Sequence, residues 1–130
     1  MNIPNNLKYT KTDEWLKIEG NVGIVGISDY AQQQLSDIVY VGFNYEKDKS
    51  FKQNDALATV ESVKAAAEVN APVSGKIIEA NLSLTDSPEL LNKDPYEKGW
   101  LFKIEITDPE SVKTLMDAQT YQKHCEDRGH

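Results

Sequence analysis

Few residues in this chain have the means to do chemistry. Lys64 stands in "ESVKAAAEVNAP" (61–72) and is the one basic residue between Gln53 and Gly75, with Asp55, Glu61 and Glu68 as its charged neighbours. An isolated, accessible lysine suits enzymatic modification of its amine. The competing reading is an ordinary solvated charge. The two histidines, His124 and His130, both lie in the C-terminal tail. Acyl-transfer triads and most metal sites need a histidine held inside a fold. The one cysteine, Cys125, makes neither an internal disulfide nor a CxxC site, which points to a reducing compartment. "HCEDRGH" (124–130) gathers metal-ligating residue types, but a charged terminus of this kind reads as a frayed end, so no metal site is expected. No G-x-x-x-x-G-K-[ST] and no G-x-G-x-x-G is present to cradle a phosphate. The chain offers little with which to catalyse a reaction of its own.

The totals narrow the partners. Fourteen Lys and Arg stand against 21 Asp and Glu, a net charge of −7, with an isoelectric point near 4.8. Such a surface repels a phosphate backbone and an anionic membrane alike, so neither nucleic acid nor membrane is expected as a partner. No apolar run approaches the roughly 18 residues of a membrane span. The start, "MNIPNNLKYT", has neither the apolar h-region of a signal peptide nor the Arg-rich character of a transit peptide. A chain of 130 residues reads as one domain, 1–130, burying roughly two-thirds of its unfolded surface.

The elements that must position Lys64 are mostly strands. "DEWLKIEGNVGIVGI" (13–27) predicts two strands about an E-G-N turn, and "SDYAQQQL" (28–35) a short helix with Ser28 as N-cap. "DIVYVGF" (37–43) is a β-branched and aromatic strand, and 44–55 is a polar, charged loop. "APVSGKIIEAN" predicts a strand through Ile77 and Ile78, 84–100 is turn-rich with a helical turn from Ser87-Pro88, and "WLFKIEI" (100–106) is β-rich. The end reads as one helix over about 108–127, with Asp108 as N-cap, Pro109 at N1, and Val112, Leu115 and Met116 on one face. Many short strands with turns between them favour a β-sandwich or barrel over βαβ units.

The stretch around Lys64 pulls two ways. Ala, Lys and Glu are strong helix formers, and Val60, Val63 and Ala67 sit at helical spacing, so local propensity favours a helix over 62–68. Pro72 forbids its continuation and restricts Ala71. The β-rich flanks leave little room, and a hairpin turning at Val63-Lys64 would let both sides pair.

At this point the sequence resembles a known family. "ESVKAAAEVNAPVSGKI" is similar to the lipoyl-attachment segment of the glycine cleavage system H protein, an E-S-V-K-A hairpin followed by an A/S-P-V/I-S-G turn. "LKYTKTDEWLKIEGNVGIVGISDYAQQQLSDIVYV" resembles that family's N-terminal half, and "NLSLTDSPELLNKDPYEKGWLFKIE" its S-P-x-L-x-N and P-Y-x-x-G-W segment. The matches are co-linear and span nearly the whole chain. The resemblance implies a mainly β fold: a lipoyl/biotinyl-type barrel-sandwich hybrid of two small antiparallel sheets, with short helices and a C-terminal helix. It overrules the local helix reading for 62–68.

The resemblance also implies a carrier rather than an enzyme. Lys64 would hold lipoate in amide linkage, attached by a lipoate–protein ligase or lipoyl transferase. The arm would take an aminomethyl group from a pyridoxal-phosphate glycine decarboxylase to a tetrahydrofolate-dependent aminomethyltransferase, then present its dithiol to dihydrolipoyl dehydrogenase. Glu61 would help the lipoylating enzyme find its lysine. Glu14 matches the H-E-W glutamate and would bind the amine of the loaded arm, against the reading of an exposed strand-edge acid. Glu68 lies where the family often has an aspartate near the arm. The expected compartment is the cytoplasm in a bacterium, or the mitochondrial matrix for a processed eukaryotic chain. Alternatives are a related carrier serving lipoyl relay or another 2-oxoacid complex, and an unmodified interaction domain. The chain departs from the pattern at Asp13 and Tyr30, where the family has histidines, at Ser36, where it has glycine, and in "FNYEKDKSF" (43–51), which lacks the usual proline and glycine.

Overall fold

The computed structural model describes residues 1–128, so His130 of the terminal cluster lies outside the described residues. In chain order the strands are β1 (Lys8–Tyr9), β2 (Glu14–Glu19), β3 (Val22–Ile27), β4 (Ile38–Phe43), β5 (Ser50–Phe51), β6 (Ala56–Ser62), β7 (Ala66–Asn70), β8 (Gly75–Ala80) and β9 (Phe102–Ile106). The helices are α1 (Asp29–Leu35), α2 (Ser83–Asp86), α3 (Leu90–Lys93) and α4 (Ala118–Arg128), with a 3₁₀ turn over Pro109–Thr114. All strand pairings are antiparallel. They form a six-stranded sheet, ordered β1-β2-β3-β9-β8-β5, and a three-stranded sheet, ordered β4-β6-β7. The mainly β architecture of two sheets with short helices is the one the resemblance implied.

Alternation makes the two sheets close on each other. Val41, Val60 and Val69 point inward from the small sheet, and Leu16, Val25, Ile77, Phe102 and Ile104 from the large one, all inside one buried cluster. Removing this apolar surface from water is the main stabilising term. A second cluster, around Tyr9, Trp15 and Tyr121, fixes α4 to the N-terminal strands. Tyr9 and Tyr121 stack with centroids 4.6 Å apart.

The hairpin implied by the resemblance forms in place of the helix that local propensity favours over 62–68: β6 and β7 pair from Ala56↔Asn70 to Glu61↔Ala66, because pairing and burial of Val69 outweigh the propensity of Ala and Glu. Two other sequence expectations need correction. The C-terminal segment is not one helix. Asp108 does cap its start, but the 3₁₀ turn stops at Thr114 and Leu115 is extended (φ −84°, ψ 155°). Met116 then exchanges two backbone hydrogen bonds with Tyr9 (2.8 and 2.9 Å). Asp117 restarts the helix by accepting from the Thr120 N–H at 2.8 Å. The break sends Leu115 to the first cluster and Met116 to the second, which a continuous helix face could not do.

The 44–55 segment is not a plain loop. It adds β5 to the large sheet, and the chain doubles onto Ile77 through Asp48 N–H to Ile77 O (2.8 Å) and Ile77 N–H to Lys49 O (2.9 Å). Its two left-handed positions are Asp48 (φ 72°) and Asn54 (φ 77°), the residue types that best replace glycine there.

Candidate functional site

Strand pairing ends at Ser62 and resumes at Ala66, so Lys64 is the middle residue of a three-residue tip rather than half of a two-residue turn. Ser62 shapes that tip. Its hydroxyl accepts from the N–H groups of Lys64 (3.3 Å) and Ala65 (3.0 Å), and its own N–H donates to Ala65 O at 2.7 Å. A serine that satisfies the backbone locally is the usual way to hold a tight reversal. The Val63 N–H donates to Asp37 O at 3.0 Å, tying the tip to the start of β4. The backbone below Lys64 is thus fixed on two sides, while the lysine is exposed and in no ion pair among the described residues. This combination of rigid base and free stem fits a covalently attached carrier group. Acylation would also remove the ammonium charge, so an arm folding back would bury no unpaired cation.

Glu61 and Glu68 flank the tip on the outer face of the small sheet. Register places Tyr40, Glu61 and Ala66 in one row, and Gly42, Thr59 and Glu68 in the next. Both acids are exposed.

Glu14 sits elsewhere. It is not an exposed edge acid: only 1% of it is accessible. Its Oε1 accepts from the hydroxyls of Thr10 (2.5 Å) and Thr12 (2.6 Å), and its Oε2 accepts from the Asn70 N–H at 3.0 Å. Asn70 ends the same strand that carries Glu68, so β7 leads from the tip to this carboxylate. Burial raises the Glu14 pKa to about 7, the hydrogen bonds from Thr10, Thr12 and Asn70 opposing it in part. Thr10 and Thr12 were not visible as partners in the sequence, since neither residue type nor spacing marks a buried acid.

The two departures from histidine share one partner. Arg128, at the end of α4, forms a bidentate pair with the Asp13 carboxylate and lies over the Tyr30 ring at 4.5 Å. Asp13 also accepts from Tyr121 Oη at 2.8 Å, and that hydroxyl meets Ser28 Oγ at 2.6 Å. These positions therefore clamp the terminal helix beside Glu14. No group of three or more His, Cys, Asp or Glu side chains among the described residues could hold a metal ion.

The comparisons with known proteins bear on the fold and the family. The family model for the glycine cleavage H-protein matches residues 7–128. The glycine cleavage system H protein of Thermotoga maritima is 52% identical over 118 residues, covering 91% of this chain and 94% of the relative. That of Halothermothrix orenii is 44% identical over 127 residues, covering 98% of each. The crystal structure of a glycine cleavage system H protein from Mycobacterium marinum superposes with a TM-score of 0.84 at 30% identity, covering 98% of this chain and all of that one. A match of this extent, on a fold built around an exposed lysine hairpin, means that the chain belongs to the glycine cleavage H-protein family, whose members are non-catalytic lipoyl carriers.

Proposed function

We propose that Lys64 is the lipoyl acceptor and that the chain shuttles between the enzymes of glycine cleavage. The observation that carries this reading is the exposed Lys64 on a tip braced by Ser62 and Asp37. In the attachment step the deprotonated Lys64 Nζ attacks the acyl carbon of an activated lipoyl group, a mixed anhydride or thioester. The amide bond forms, the leaving group departs with the electrons of the broken bond, and the amine gives up its proton. The bound group then supplies the redox-active sulfurs that accept and release the cargo.

The chain's own residues do the rest. Four methylenes of lysine set the arm clear of the body, and the pinned tip fixes where it swings from. Glu61 offers the lipoylating enzyme a charge on the acceptor face, and Glu68 lies further along the same face. Glu14 receives the amine of the loaded arm: each carboxylate oxygen has about two acceptor sites, and among the described residues Oε2 accepts from the Asn70 N–H alone. An arriving ammonium would convert it fully to the carboxylate. The partners are the pyridoxal-phosphate glycine decarboxylase, the aminomethyltransferase, dihydrolipoyl dehydrogenase and a lipoate–protein ligase or lipoyl transferase. Both bacterial relatives support a bacterial cytoplasmic setting, and no helix among the described residues is long and apolar enough to cross a membrane.

The test is reconstitution with the three partner enzymes, glycine, tetrahydrofolate and NAD. The lipoylated chain should support glycine-dependent NADH formation, and Lys64→Arg, equally folded, should support none. Equal rates with the variant would overturn the reading.

A further inference from the structure

Seven large apolar side chains stand exposed among the described residues, and three of them surround the Lys64 hairpin. Val63 (68% exposed) is on the tip, and Val39 (56%) and Tyr40 (51%) are on the neighbouring strand β4. A sheet face normally spends such positions on polar residues. Local structure holds each one out. The register slips between Ile38 and Tyr40, a bulge that turns Val39 to solvent. Tyr40 lies folded along the sheet over Gly42: a Cβ on Gly42 would stand 2.7 Å from Tyr40 Oη and 3.0 Å from its Cε2. Glycine there leaves the groove in which the ring rests. The ring is therefore presented already ordered, which lowers the entropy cost of burying it against another surface. Around it, Asp37, Glu61 and Glu68 are exposed acids, and Lys64 is the base on the tip.

We infer that this face, with Tyr40 as its anchor, is the docking surface for the enzyme that acylates Lys64. The inference rests on the lipoyl-acceptor reading. Geometry selects this occupant among the partners. An unmodified lysine amine stands on the order of 6 Å from its backbone, so the acylating enzyme must press against the flanks of the hairpin. Enzymes that act on the far end of a finished arm work from further away. Tyr40 pairs directly with Glu61, three residues before Lys64, a separation of at most about 10 Å because the chain leaves the strand after Ser62. That is close enough to fall under the same contact and too far to touch the reacting amine. Tyr40 is thus a positioning residue. The partner's matching surface would be an apolar pocket for one aromatic ring, rimmed by Arg or Lys opposite the three acids.

The test is steady-state lipoylation by a lipoate–protein ligase, with the unlipoylated chain as varied substrate. Tyr40→Thr removes the ring but puts a residue of high strand preference in its place, and Tyr40→Phe keeps the ring. Ile18→Thr alters an exposed apolar residue on the other sheet. The expected result is about a tenfold rise in KM for Tyr40→Thr with kcat unchanged. KM should be near wild type for Tyr40→Phe and for Ile18→Thr. A folded Tyr40→Thr with wild-type kcat/KM would overturn the inference and leave the carrier reading intact. So would a Tyr40→Thr that is lipoylated normally but, once loaded, fails with the glycine decarboxylase, since the face would then belong to that partner. If the wild type itself takes no lipoyl group, the carrier reading falls first and this role falls with it.

Discussion

At the level of single residues, the acid that matters most is the one water hardly reaches. Glu14 holds its proton in the folded state up to about pH 7, against 4.5 as its ordinary value. Between these values the folded chain binds a proton that the unfolded chain has released, so raising the pH through this window costs stability, on the order of 3 kcal/mol by linkage. Glu14→Gln removes that titration. The wild-type melting temperature should therefore fall relative to the variant's as pH rises from 5 to 8; a constant difference would mean that Glu14 does not titrate there. The same variant, lipoylated and loaded, should lose its cargo faster, and equal lifetimes would remove Glu14 from the carrier mechanism. Ser36 gives a second prediction. It ends α1 with φ 65° and ψ −149°, a conformation open almost only to glycine. The conformational strain relieved by Ser36→Gly should exceed the added entropy of the unfolded chain, for a net gain of about 1 kcal/mol. Thermal melting checks it, and an unchanged or lower midpoint would show that the serine is not strained.

Among the elements, the hairpin and the strands that brace it decide where the lysine goes. Gly75 begins β8 where a Cβ would meet the Glu105 carbonyl oxygen at 2.2 Å. Backbone cannot yield as a side chain tip does, so Gly75→Ala should cost about 2–3 kcal/mol by prising β5 and β9 from β8. A midpoint within 2 °C of wild type, on the order of 0.5 kcal/mol, would contradict this. How much of this was readable beforehand differs by element. Strands β2 to β4 and β9 announce themselves through β-branched and aromatic residues, and Asp108-Pro109 marks its helical turn. The stretch 62–68 misleads because Ala and Glu report local preference, whereas pairing with Thr59, Val60 and Glu61 is a distant fact. The break at Leu115 and Met116 was hidden because both are apolar at helical spacing, and only the fold sends them to different clusters. Strand β5 was hidden because its turns use Asp48 and Asn54 rather than glycine. In the candidate site, Lys64 drew notice by its isolation and by the segment's resemblance to a lipoyl-attachment hairpin, but the burial of Glu14 under Thr10 and Thr12 could not be read, since it is made by chain segments that meet only on folding.

For the molecule as a whole, division of labour follows from what each region lacks. The body is a closed sandwich with α4 strapped to it through Tyr121 and Arg128, and it presents one amine on a stiff tip. The face beside that tip keeps an ordered aromatic ring and exposed acids. A carrier needs this arrangement: rigid where it docks, mobile only along the attached arm. The most direct measurement is intact mass after incubation with lipoate, ATP and a lipoate–protein ligase, with peptide mapping of the adduct and Lys64→Arg alongside. One lipoyl group on Lys64, absent from the variant, is the expected result. A folded wild-type chain that gains no mass, or an adduct on another lysine, would contradict the account.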